Sequence, residues 1–129
     1  MDLKKLVPTS DVVVVELLHP SDLSPLGMTI ELFAPHTKEY KKVNYELQNR
    51  RLNKMQRAKK VSLDIDVEDL EKDQIELMAK TTKSWDIEYD GENPPKLTVA
   101  KAKEIYEDAF WIRPQIEAAW ADSLDFTKL

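Results

Sequence analysis

Cysteine is absent from this 129-residue chain, and glycine occurs at only two positions. Without cysteine there can be no disulfide framework and no thiolate metal site, which is typical of proteins of the reducing cytosol. Gly27 and Gly91 stand apart, so no glycine-rich loop is available to cradle a phosphate. Apolar runs such as residues 12–15 are far too short to span a bilayer, and the first residues lack a signal-peptide core. These absences favour a cytoplasmic protein without membrane association.

Residues with catalytic potential are few and scattered. The two histidines, His19 and His36, stand beside predicted turns, and no metal-ligand spacing surrounds either one. The serines lack a nucleophile-elbow context. The many carboxylates fall on predicted solvent-facing helix positions, where they serve solubility. The sequence therefore predicts a binding module that is not an enzyme and has no cofactor or metal.

The composition indicates the fold class. An apolar content of 42% is enough for a modest core, and 33% charged residues with little glycine favour helix over a β-sandwich. We expect one domain over residues 1–129, with an N-terminal arm and β-hairpin in 1–34 and a helical part in 35–129. The predicted fold is α+β and mainly α-helical, with the hairpin followed by about four helices.

Two strands are predicted near the N-terminus. Residues 12–18 are rich in valine, and residues 28–33 alternate so that Met28, Ile30 and Leu32 share one face. The connection, 19–27, contains proline, glycine and serine, which are turn residues. Because an isolated hairpin is marginally stable in water, one face should pack against the helices or against a neighbouring subunit.

A basic segment dominates the charge pattern. Residues 38–60 hold nine Lys or Arg and two Glu, a charge of +7, whereas residues 1–37 carry −3 and residues 62–129 carry −9. The segment contains neither glycine nor proline, so it predicts a helix, with Thr37 as the N-cap. Its apolar face is Tyr40, Val43 and Leu47, and beyond it the apolar residues drift to Leu52 and Met55. The second half is thus either solvated or available to an acidic partner.

Three further helices are predicted from the periodicity of apolar residues and from the cap and turn residues between them. One should run from an Asp66 cap to about Trp85, and another should begin after the cap Thr98. A loop is expected at residues 86–96 and a bend at residues 111–113, before Pro114. Pro114 itself is expected in the first turn of the last helix. The predicted apolar faces are Val67, Leu70, Leu77, Met78, Thr81 and Trp85 on the second helix, Val99, Ala102, Ile105, Tyr106, Ala109 and Phe110 on the third, and Ile116, Ala119, Trp120 and Leu124 on the last.

Three features could support binding. Clustered cations could contact nucleic acid, but a net charge of −5 and a pI of about 5.1 argue against a nucleic-acid partner. Aromatic residues make good interface anchors, but at helical spacing they are more often core residues. Charge segregation would let copies meet head to tail in rings or spirals. The candidate protein-binding residues are Arg50, Arg51, Lys54, Arg57, Tyr106, Phe110, Trp111 and Trp120.

Several segments of the chain carry a family resemblance: residues 97–106 (Leu-Thr-Val-Ala-Lys-Ala-Lys-Glu-Ile-Tyr), 110–116 (Phe-Trp-Ile-Arg-Pro-Gln-Ile), 120–126, the His-Pro pair at 19–20, and residues 26–32 and 37–40. Together they resemble the tail assembly chaperones of lambdoid long-tailed (siphovirus) phages. The resemblance covers most of the chain as a pattern of loosely matching positions, and Asp125 stands where relatives often have Asn.

The resemblance implies a function. Such proteins coat the aggregation-prone tape measure protein in the host cytoplasm, help to recruit tail tube subunits, act as multimers, and are absent from the mature virion. A longer form made by ribosomal frameshifting commonly accompanies the short one. Two other functions stay open at this point, a nucleic-acid-binding adaptor and a minor structural tail protein.

Overall fold

The computed structural model describes residues 2–6, 10–57 and 67–123. After a short 3₁₀ turn at Leu3–Leu6, these described residues form three strands and four helices, so the predicted α+β, mainly helical class is confirmed. The elements are β1 (Val12–Leu18), β2 (Pro25–Phe33), α1 (Lys38–Arg57), α2 (Val67–Thr81), β3 (Thr82–Asp86), α3 (Val99–Asp108) and α4 (Ile112–Ser123).

The predicted N-terminal hairpin is confirmed. β1 and β2 pair antiparallel, with Val13 opposite Leu32 and Val15 opposite Ile30. β2 begins at Pro25, earlier than the alternation at residues 28–33 indicated, so the connection is shorter than expected. One face of the pair is buried, as the marginal stability of a free hairpin requires.

A third strand replaces the end of the predicted second helix. α2 stops at Thr81, and β3 pairs antiparallel with β2, placing Trp85 opposite Ile30. The prediction that α2 continues to about Trp85 was therefore wrong. The hydroxyl of Thr81 donates to the carbonyl of Leu77 at 2.6 Å, and that of Thr82 donates to Met78 at 2.7 Å. These bonds satisfy carbonyls at the helix end while the next residues enter the sheet.

The core lies between the inner face of the sheet and helices α2, α3 and α4. Met78 and Tyr106 are fully enclosed there. The face predicted for α2 was correct at Met78 and Thr81, but Val67 and Leu70 are exposed and Ile75 is buried instead. The core residues are Val15, Leu17, Ile30, Leu32, Ile75, Met78, Ala79, Ile87, Ala102, Ile105, Tyr106, Ile112, Ile116 and Trp120.

α4 fastens the N-terminal hairpin to the rest of the molecule. The Gln115 side chain accepts a hydrogen bond from the Leu18 amide at 2.9 Å and donates to the Leu18 carbonyl at 3.0 Å. The residue that pairs with Leu18 on β2 is Pro25, which has no N–H to offer. Gln115 thus supplies a donor at a point where the ladder lacks one.

The predicted caps of α1 and α3 are confirmed. The Thr37 hydroxyl accepts from the Tyr40 amide at 3.2 Å, and the Thr98 hydroxyl accepts from the Lys101 amide at 3.1 Å. Asp66, the predicted cap of α2, and Leu124, the predicted end of the last apolar face, lie outside the described residues. The last helix begins at Ile112, inside the predicted bend, with Pro114 in its first turn.

Candidate interaction surfaces

Cations of α1 and carboxylates of α2 meet along the contact between these two helices. Arg50 Nη2 donates to Asp73 Oδ1 at 2.9 Å, and Arg51 Nη2 donates to Asp73 Oδ2 at 2.8 Å. Nearer the end of α1, Lys54 Nζ lies 2.6 Å from Asp69 Oδ2. Three of the four predicted basic binding residues are therefore paired within the chain, whereas Arg57 forms no ion pair among the described residues.

The opposite charges in this contact between α1 and α2 stabilise the ionised forms of the side chains that meet there. The hydrogen bond from Lys54 lowers the pKa of Asp69, and the hydrogen bond to Asp73 raises the pKa of Arg50. Burial alone would raise the pKa of Glu76, but the hydrogen bond with Lys80 and nearby cations bring it below the ordinary value. The contact is thus a network in which the sheltered carboxylates, Asp73 and Glu76, face several cations.

An open cleft of about 630 Å³ runs beside this network between α1, α2 and α3. Both signs of charge line it, including Lys103 and Glu107 of α3, so it is not a basic groove of the kind that nucleic-acid phosphates favour. Within residues 2–6, 10–57 and 67–123, no group of three or more His, Asp or Glu could hold a metal ion. The carboxylates expected to meet the basic helix of a neighbouring copy lie opposite the basic helix of their own chain.

The predicted aromatic anchors fall into different environments. Tyr106 is 0% exposed, and its hydroxyl lies 2.6 Å from the Thr82 hydroxyl. Burial raises the pKa of Tyr106 to about 12. Trp120 is also buried, donates from Nε1 to the Phe33 carbonyl at 3.1 Å, and meets the Tyr40 ring edge-on. Trp111 is half-buried against the core, which leaves Phe110, 63% exposed, as the anchor that faces solvent.

The solvent side of α1 has an apolar stripe that the sequence analysis did not single out. Tyr45, Leu52 and Met55 are 57%, 56% and 41% exposed. With Lys38, Lys41 and Gln48 they occupy positions spaced alternately by three and four residues, the spacing of a heptad seam. We call these six residues the outer face of α1. In the sequence, the signal for this stripe is that Tyr45 precedes Leu52 by seven residues and Met55 follows Leu52 by three, which places all three on one side of a helix.

The sheet also has an uncovered side. Because the inner side packs on the helices, alternate residues of each strand point away from the core. Three rows cross this side, joining Val12 to Phe33, Val14 to Glu31 and Ser84, and Glu16 to Thr29 and Asp86. We call these eight residues the open face of the sheet. It could not be recognised from the sequence because the third strand was not predicted.

Comparison with known proteins gives no assignment, since no family model, curated protein or solved structure matches this chain. In the described part of the chain, none of the helices has both the length and the apolar character needed to cross a membrane. The function must therefore be argued from the two uncovered surfaces and from the sequence resemblance.

Proposed function

We propose that this protein is a phage tail assembly chaperone that acts as a multimer in the host cytoplasm. It binds the tape measure protein, keeps it soluble, and helps to recruit tail tube subunits during tail assembly. It performs no chemical reaction and is released before the virion is complete. A longer frameshifted form would share the surfaces described here.

The observation that carries this proposal is the exposed apolar stripe of Tyr45, Leu52 and Met55 on a helix whose other exposed side chains are charged or amide. Exposed apolar residues along one helical stripe are typical of surfaces that bind other proteins. Several weak contacts repeated along one long client give avidity without any single tight site, which suits binding followed by release. The resemblance of residues 97–106 and 110–116 to tail assembly chaperones supports the same function.

Co-expression with the tape measure protein of the same genome tests the proposal. We expect the tape measure protein to remain in the soluble fraction with this chain and to sediment without it. The variant Leu52→Ser/Met55→Ser should lower the soluble fraction, because it removes apolar contacts at the stripe. Val67→Ser/Val99→Ser is the matched control, since these residues are exposed but lie on other helices.

Two results would contradict the proposal. A tape measure protein that sediments equally with and without this chain would remove the chaperone function. Recovery of this chain from purified virions would instead indicate a minor structural tail protein. A nucleic-acid adaptor would be recognised by salt-dependent binding of DNA or RNA in a shift assay.

A further inference from the structure

The outer face of α1 is positively charged and has no carboxylate. Lys38 and Lys41 lie at its N-terminal end, and neither forms an ion pair among the described residues. The apolar residues Leu52 and Met55 lie at its other end. The cations of α1 that face α2, namely Arg50, Arg51 and Lys54, are paired within the chain, whereas the lysines of the outer face point to solvent and can meet a partner.

The open face of the sheet has the opposite charge. Val12, Val14 and Phe33 form its apolar end, and none of the three packs against the core cluster. Glu16, Glu31 and Asp86 form its acidic end. In the described ranges no cation lies within ion-pair distance of these carboxylates, although Ser84 donates to Glu31 at 2.9 Å. Carboxylates on a partly apolar surface favour a partner that brings both cations and apolar side chains.

The distance between the charged end and the apolar end is similar on the outer face of α1 and on the open face of the sheet. From position 41 to position 52, α1 advances about 16 Å at 1.5 Å per residue. From position 12 to position 16, β1 advances about 13 Å at 3.3 Å per residue. The difference of about 3 Å between these two distances is within the reach of a lysine side chain. One orientation therefore places Leu52 over the valines and Lys41 over the carboxylates at the same time.

We propose that the outer face of α1 in one copy packs on the open face of the sheet in a second copy of this chain. The inference deepens the proposed function, on which it rests, by assigning the apolar stripe of α1 to contact between copies. The stripe then serves the client by assembling the multimer, and loss of Leu52 and Met55 lowers client solubility through that assembly. The two faces are different surfaces, so the contact is heterologous, and a pair of copies keeps one free α1 face and one free sheet face. Repetition of such a contact gives a ring, or an open spiral when the rotation does not close.

Sedimentation velocity of the full chain at increasing concentration and low salt tests this contact. Wild type should associate progressively. The helix-side variant Lys38→Glu/Lys41→Glu and the sheet-side variant Glu16→Lys/Glu31→Lys should each associate about tenfold more weakly, because like charges then face each other. Circular dichroism checks that both variants are folded. Lys96→Glu and Glu107→Lys are matched controls on exposed residues outside both faces, and they should associate like wild type.

Mixing the two variants is the decisive measurement. In an equimolar mixture, the acidic helix of the first variant can face the basic sheet of the second. The unchanged basic helix of the second variant can likewise face the unchanged acidic sheet of the first, so both kinds of contact join opposite charges. We expect the mixture to associate as wild type does. A wild-type chain that stays monomeric, variants that associate undiminished, or a mixture that remains dissociated would each overturn the proposal. These outcomes are independent of tape measure solubility, so a failed contact and a failed chaperone function can be told apart.

Discussion

The contact between α1 and α2 gives the sharpest stability prediction. Asp73 is the common acceptor of Arg50 and Arg51, with one carboxylate oxygen on each guanidinium, and its side chain is only 14% exposed. Replacement by asparagine keeps the size of the side chain and removes its charge. Both arginines then lose their ionic partner on this residue, while the packing of α1 around Leu47 is unchanged.

The stability lost on replacing Asp73 by asparagine depends on how exposed its two arginine partners are. A hydrogen bond to a charged group contributes about 1.5–3 kcal/mol when sheltered, and much less when solvent screens it. Arg50 and Arg51 are partly exposed, so Asp73→Asn should lower the free energy of unfolding by about 1–2 kcal/mol. For a chain of this size the melting temperature should fall by about 3–8 °C.

Urea unfolding at low and at high salt measures this effect. The Debye length shrinks from about 10 Å at 0.1 M to about 3 Å at 1 M, so the difference between Asp73→Asn and wild type should decrease in 1 M salt. Asp69→Asn is the control, because Asp69 pairs with the exposed Lys54 and should matter less. The reasoning is refuted if Asp73→Asn costs no more than Asp69→Asn, or if salt leaves its cost unaltered.

Three further expectations concern residues buried or bound elsewhere. Tyr106→Phe should lower stability by about 1 kcal/mol, since the hydrogen bond between the Tyr106 and Thr82 hydroxyls is lost while Thr82 keeps its bond to Met78. Phe110→Ala should change stability by less than about 0.5 kcal/mol in the same urea assay, because Phe110 is exposed. The folded pKa of Tyr106, about 12, exceeds its ordinary value of 10.0. Its contribution is therefore complete below pH 10.0 and is lost as the pH rises through about 12, so Tyr106→Phe should be less sensitive to alkali when unfolding is followed across this range. Gln115→Ala should cost about 1–2 kcal/mol and speed hydrogen exchange at the Leu18 amide; unchanged exchange there would contradict the assigned hydrogen bonds.

The hairpin was predictable because its information is local. Valine-rich residues 12–18 and the alternation at residues 28–33 each determine which side faces a core, and the intervening turn residues bring the strands together. The caps Thr37 and Thr98 were predictable for the same reason. A side chain that bonds to a backbone amide three residues away needs no tertiary contact to be recognised.

The third strand was missed because its cause is distant in sequence. Trp85 continues the helical spacing of Thr81, and no glycine or proline separates them. Only the pairing of β3 with β2 decides the conformation, and that partner lies more than fifty residues earlier. Adjacent threonines at 81 and 82 were the one local hint of extended structure.

The candidate site was only partly predictable. The sequence identified the basic residues Arg50, Arg51 and Lys54 and the acidic residues of α2, but not that an antiparallel helix contact joins them within one chain. Periodicity likewise gave the apolar face of α3 without telling which member, Tyr106 or Phe110, lies inside. Both questions depend on how helices pack together, which no single periodic pattern specifies.

The pairing of Gln115 with Leu18 has a consequence for synthesis on the ribosome. These residues are 97 positions apart, and the Trp120 contact with the Phe33 carbonyl spans 87 positions. The hairpin leaves the exit tunnel well before α4, so the two side chains that bond to its backbone are synthesised much later than the groups they bond to. Until α4 has emerged, the backbone groups of Leu18 and Phe33 lack these partners, and the nascent hairpin is held by fewer contacts than in the finished fold.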